Sequence, residues 1–86
     1  MQPEDRNRLL HLTEAATKAI AYSSRKQRSD LDEDELLRLA LTKLVEIVGE
    51  AAKHVSPTTQ ESIPGMPWSA AARMRDRLIH HYFDIL

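Results

Sequence analysis

The sequence predicts an all-α protein, an antiparallel helical bundle with short connections. Three observations predict it. Apolar residues recur at helical spacing in two long stretches, Leu9 to Ile20 and Leu37 to Val55. Polar and proline-bearing segments separate these stretches from each other and from a third. No segment shows the apolar–polar alternation of a strand.

The first helix is expected from Pro3 to Arg25. Pro3 suits a first turn, and Glu4 and Asp5 complement the positive end of the helix dipole. Leu9, Leu12, Ala16, Ala19 and Ile20 form one stripe, with Arg8, Glu14, Thr17 and Lys18 opposite. The run "RKQRSDLDEDE" then breaks the pattern and offers Ser29 or Asp30 as an N-cap. A second helix is expected from Leu31 to Val55, about 37 Å long at 1.5 Å per residue. Its stripe is Leu37, Ala40, Leu41, Leu44, Ile47, Val48, Ala51 and Val55, widened by Leu36, Leu39, Val45 and Ala52. So wide a surface implies more than one neighbour. Gly49 costs such a helix ~1 kcal/mol relative to alanine, so close approach of another backbone is expected there. "SPTTQESIPGMPW" reads as a loop. A third helix is expected from Trp68 or Ser69 to about His81, with Ala71, Ala72, Leu78 and Ile79 on its buried side and Trp68 as a core anchor.

The 86 residues suffice for a single domain, 1–86. A domain this small buries only about 60–65% of the surface its unfolded chain exposes, so a partner or a second copy is expected to complete it. Cysteine is absent, which removes disulfides and thiolate metal sites and fits a cytoplasmic protein. No apolar run approaches the roughly 18–20 residues of a membrane span, and "MQPEDRNRLL" does not read as a signal peptide. Net charge is −1, so a generally basic nucleic-acid binder is excluded and any such affinity must be local or completed by oligomerisation.

Chemistry concentrates in "RMRDRLIHHYFDIL", residues 73–86. On a helix Asp76 and His80 are four apart and can touch, and Arg75 and Tyr82 are seven apart and share a side. A fixed cation, a carboxylate, an imidazole and a phenol thus fall within about two turns. Arg75 offers a planar fork to phosphate oxygens, and an imidazole exchanges protons near neutral pH. Asp76 can orient the imidazole or hold Arg75. His80 and His81 point about 100° apart and do not chelate, so no metal and no cofactor are expected. His11 and His54 have no evident cluster and read as core edge or surface. Arg73, Arg77 and His81 read as a solvated face that can also touch RNA.

The segment "RDRLIH" resembles the HEPN signature, an arginine, a polar residue, three more residues and a histidine. Extended to "MRDRLIHHYFD" it is similar to the HepT toxins, as are "VGEAAKHVS" (48–56) and "IPGMPWSAAARMRDRLIHHYFDI" (63–85). Asp76 stands where that family more often has asparagine. The chain stops at Leu86, where the family usually continues into a further helix, so the domain is expected to lack that helix. The resemblance implies a homodimeric, metal-independent endoribonuclease toxin with Arg75 and His80 as catalytic residues and Asp76 in support. It also implies a minimal nucleotidyltransferase antitoxin that attaches AMP to Tyr82. An alternative stays open, a catalytically inactive helical module that binds a nucleotide or the nucleotidyltransferase.

Overall fold

The computed structural model describes residues 1–78, with side chains as far as Asp76. These residues form α1 (Pro3–Ser23), α2 (Arg28–Glu33), α3 (Glu35–His54), α4 (Pro57–Ser62) and α5 (Trp68–Leu78), with no strand among them. The all-α expectation therefore holds. The central helix is α3, with α1 and α5 as its principal neighbours. Contacts fix the directions. Arg8, early in α1, donates to the His54 carbonyl at the end of α3 at 2.6 Å. Trp68 opens α5 beside the cluster that contains Ala51 and Ala52, whereas Arg75, a little under two turns later, lies against Gly49. Both neighbours run antiparallel to α3.

The first helix ends at Ser23, two residues short of the expected Arg25. Ser23 Oγ donates back to the Ala19 carbonyl at 2.7 Å, a local bond of the last turn. Arg25 takes φ 62°, a left-handed conformation that turns the chain into α2. The expected second helix is in fact two. Asp34 leaves helical geometry at φ −107° and ψ 95°, and its carboxylate accepts from the Leu37 amide at 3.0 Å as the cap of α3. Neither Ser29 nor Asp30 caps α2. Gln27 occupies that position, and Asp30 at N3 accepts from the Gln27 amide at 2.7 Å. Arg38 then donates to the carbonyls of Leu31 and Asp32 at 3.0 and 3.2 Å, closing the end of the short helix. An acid-rich run offers several caps, and the one at Asp34 lets Arg38 satisfy the chain end behind it.

The expected loop after α3 contains α4. Ser56 is its N-cap and Pro57 its first residue, the position where a missing N–H costs nothing. Asp5 of α1 is buried at 2% exposure and serves this junction. It accepts from the Ser56 amide at 2.9 Å, from Ser56 Oγ at 2.6 Å and from Thr59 Oγ1 at 2.8 Å. The start of α1 is thereby tied to the start of α4.

The buried apolar residues are Leu12, Ala15, Ala51, Ala52 and Val55, with Val48, Met66, Trp68 and Ala71 packed against the cluster around Leu12, Ala51 and Ala52. Trp68 is thus a core anchor, as expected. Most of the other expected stripe residues are half-buried, and Ile20, Leu36 and Leu39 are 72%, 81% and 51% exposed. Leu36 and Leu39 lie on the α3 face that also carries Lys43 and Glu46, and no described helix covers it. Among the described residues, no helix is long and apolar enough to cross a membrane.

The hydrogen bonds from Ser56 and Thr59 hold the Asp5 carboxyl below its ordinary value of 3.8. A carboxyl lowered by folding contributes stability above its ordinary value, and that contribution is lost as pH falls through the folded value. Urea unfolding followed by circular dichroism should therefore show a lower midpoint below pH 3.8 than at pH 6. Asp5→Asn should lower the midpoint at pH 6 and narrow the gap between the two conditions.

Candidate functional site

Arg75 reaches its place because Gly49 has no side chain. A Cβ built on Gly49 would lie 2.9 Å from the Ala71 carbonyl oxygen and closer still to Arg75 Cβ. The close approach expected at Gly49 is therefore real, and the backbone that approaches belongs to the motif helix. The Arg75 guanidinium then meets two carboxylates. Its Nη2 lies 3.1 Å from Glu50 Oε2, and its Nη1 donates to Asp76 Oδ1 at 3.3 Å. Arg75 Nε is buried with no partner among the described residues. The side chain is 23% exposed, and that of Glu50 is 47% exposed.

Glu50 uses its other oxygen as well. His54, one turn on along α3, donates from Nε2 to Glu50 Oε1 at 2.8 Å. The His54 backbone carbonyl in turn accepts from Arg8. A continuous polar chain thus runs from α1 through the end of α3 to the guanidinium on α5. An ion pair this exposed is worth only about 0.2–1 kcal/mol of stability. Its consequence is orientation, because it fixes the far end of a side chain that is otherwise free to rotate about several bonds.

A groove of ≈ 360 Å³ runs beside this chain between α1 and α3. Arg8 and His11 line it from α1, and Lys43, Glu46, Glu50 and His54 line it from α3. Glu50 is the wall between the groove and Arg75. A larger groove of ≈ 480 Å³ around Lys26, Arg28 and Arg38 lies toward the opposite end of α3. Among the described residues no three or more His, Cys, Asp or Glu side chains group as metal ligands.

Of the residues singled out in the sequence, the structure brings together Arg75 and Asp76. Arg73 is exposed on α5. The side chain of Arg77, and His80, His81 and Tyr82 entirely, lie outside the described residues. His11 and His54 are both exposed, in keeping with the surface reading. They also line one groove, and His54 is bonded to the carboxylate that holds Arg75. Glu50 was missed. Its signal was present in "VGEAAKHVS", where a carboxylate follows the helix-breaking glycine and stands four residues before a histidine.

The Ribonuclease HepT-like family model matches residues 12–85, most of the chain. This chain belongs to the HepT-like family. "Probable ribonuclease HepT" of Thermococcus cleftensis is 34% identical over 82 residues, covering 95% of this chain and 69% of that protein. "Putative RNase MJ1380" of Methanocaldococcus jannaschii is 29% identical over 77 residues, covering 90% of this chain and 71% of its own length. "Putative RNase MJ0127" of the same organism is 39% identical over 62 residues, 66% of this chain and 51% of that protein. The HepT-like chain thus spans between about half and 71% of the length of these relatives. No solved structure matches it significantly.

In this HepT-like chain the seat at Gly49 sets up a contest of known sign. Alanine gains ~1 kcal/mol of helix propensity over glycine, but overpacking a tight contact costs typically about 1–3 kcal/mol. The added methyl meets backbone as well as the root of Arg75, so the loss should win. Gly49→Ala should therefore destabilise the protein by up to about 2 kcal/mol in chemical denaturation. A more stable Gly49→Ala variant would show that α5 does not rest on this position.

Proposed function

We propose that the chain is the toxin of a toxin–antitoxin pair, an endoribonuclease that cleaves RNA without a metal. RNA carries its own nucleophile. The 2′-hydroxyl attacks the adjacent phosphorus, the 5′-oxygen leaves, and the products end in a 2′,3′-cyclic phosphate and a 5′-hydroxyl. The protein has three tasks: to take the 2′-hydroxyl proton, to stabilise the charge of the phosphorane and to protonate the departing oxygen. In this reading His80 moves protons, and Arg75 holds phosphate oxygens through the donors its carboxylate partners leave free. Asp76 supports Arg75. Arg73, Arg77 and His81 add contacts to the RNA.

The observation that carries the reading is the family match through residues 12–85, which includes "RDRLIHHY". The seat that Gly49 and Glu50 provide for Arg75 agrees with it. Purified protein incubated with RNA in EDTA should cleave it and leave cyclic or opened terminal phosphates. His80→Ala should abolish cleavage with its helical circular dichroism intact. Strict dependence on Mg²⁺ or Mn²⁺ would reject the mechanism.

One copy supplies one His80, and separate acid and base roles call for two. We propose a two-fold dimer with the motif helices of both chains near the axis. The exposed Leu36 and Leu39 support it, because they share an α3 face with Glu50, the residue beside Arg75. Sedimentation should show a dimer at micromolar concentration, and Leu36→Asp with Leu39→Asp should release monomers that cleave RNA at least tenfold more slowly. A folded, fully active monomer would overturn this.

Tyr82 is the proposed point of control. It lies seven residues beyond Arg75 in the sequence, so a helix continued that far would bring its hydroxyl to the rim of the phosphate site. AMP attached there would add bulk and negative charge beside the arginines and repel RNA. A cognate minimal nucleotidyltransferase with ATP and Mg²⁺ should add AMP to the wild-type protein, as read by intact mass. Tyr82→Phe should cleave RNA and escape that inactivation.

A further inference from the structure

We infer that Glu50 is the positioning residue of the phosphate-binding arginine, and that His54 fixes Glu50 in that role. The inference rests on the reading of Arg75 as the residue that meets RNA phosphate. Three features of the molecule converge on it. Glu50 reaches Arg75 from a different helix, at 3.1 Å between Oε2 and Nη2. The preceding residue is the buried Gly49, which lets α5 come close enough for that contact to form. The second oxygen of Glu50 is committed to His54 at 2.8 Å, so the carboxylate itself cannot rotate freely.

An arginine side chain loses considerable rotamer freedom when it is held. A site that has already ordered its arginine spends less of the RNA's binding energy on doing so. Glu50 and Asp76 divide this work between them. Asp76 sits on the same helix and takes Nη1, whereas Glu50 takes Nη2 and ties the guanidinium to α3. The groups that face Glu50 and His54 are Arg75 from α5 and Arg8 and His11 from α1, with Lys43 and Glu46 on α3 itself. Arg8 meets the backbone of His54 rather than its ring, so the imidazole remains on Glu50.

The test is a double-mutant cycle with Glu50→Gln, which keeps the shape and removes the charge. Both residues are well exposed, at 47% for Glu50 and 51% for His54, so the fold should tolerate Glu50→Gln and His54→Gln. Glu50→Gln should lower kcat/KM for RNA by about 10- to 100-fold, the scale expected of a misplaced reacting group. In an Arg75→Ala background the same substitution should have no further effect. His54→Gln should give a smaller loss of the same kind. Equal, additive losses in both backgrounds would assign Glu50 a general structural role and overturn the inference.

A second measurement does not depend on cleavage. In protein labelled with ¹⁵N-arginine, rotation of the Arg75 guanidinium should be slow in the wild type and faster in Glu50→Gln. An unchanged rate would overturn the inference even if the wild type cleaves RNA. If the wild type does not cleave RNA but the rotation is freed, the ribonuclease reading fails and the positioning contact stands.

Discussion

The arrangement around Arg75 depends on one missing methyl group. Gly49 leaves a gap in the later part of the central helix, and α5 fills it with the Ala71 carbonyl and the root of Arg75. Any side chain at that point pushes the two helices apart. The loss of helix propensity at Gly49 is thus offset by contact between backbones that larger residues cannot make. The same approach puts Glu50 within reach of the guanidinium and buries Arg75 Nε with no partner among the described residues. Packing and chemistry share a single position.

A second constraint holds the other side of the bundle. Asp5 is buried and accepts three hydrogen bonds from Ser56 and Thr59, so it links the first turn of α1 to the junction after α3. A buried carboxylate is expensive unless it is satisfied, and this one is. Arg8, one turn later, bonds the last carbonyl of α3. These two residues set the register of α1 against α3. They thereby place His54, and through it Glu50.

Much of this could be read from the sequence, and the exceptions have physical reasons. Periodicity located α1 and α3, because each turns apolar residues at helical spacing toward its neighbours, and the proline-bearing segment before Trp68 located the start of α5. It did not find the break at Asp34, because an acid-rich run carries several equivalent caps and only the tertiary partner Arg38 selects among them. The short α4 was hidden by prolines that ordinarily mark loops, although Pro57 is a favoured first residue of a helix. Leu36 and Leu39 fit the apolar pattern yet stand exposed, since a pattern states which residues avoid water and not which partner covers them. At the site, Arg75 and Asp76 stood out as neighbours in the sequence. Glu50 and His54 did not, because the contact that gives them meaning joins α3 to α5 across the bundle.

The small size of the buried residues has a thermal consequence. Of the five buried apolar residues, three are alanines, and no large side chain is fully buried among the described residues. Unfolding such an interior brings little new hydrocarbon into contact with water. The heat-capacity change of unfolding follows that area, and it sets the curvature of stability against temperature. The interior formed by the described residues therefore contributes only a small heat-capacity change, and with it a shallow curve of stability against temperature. A steeper curve would have to draw on apolar surface covered outside that interior.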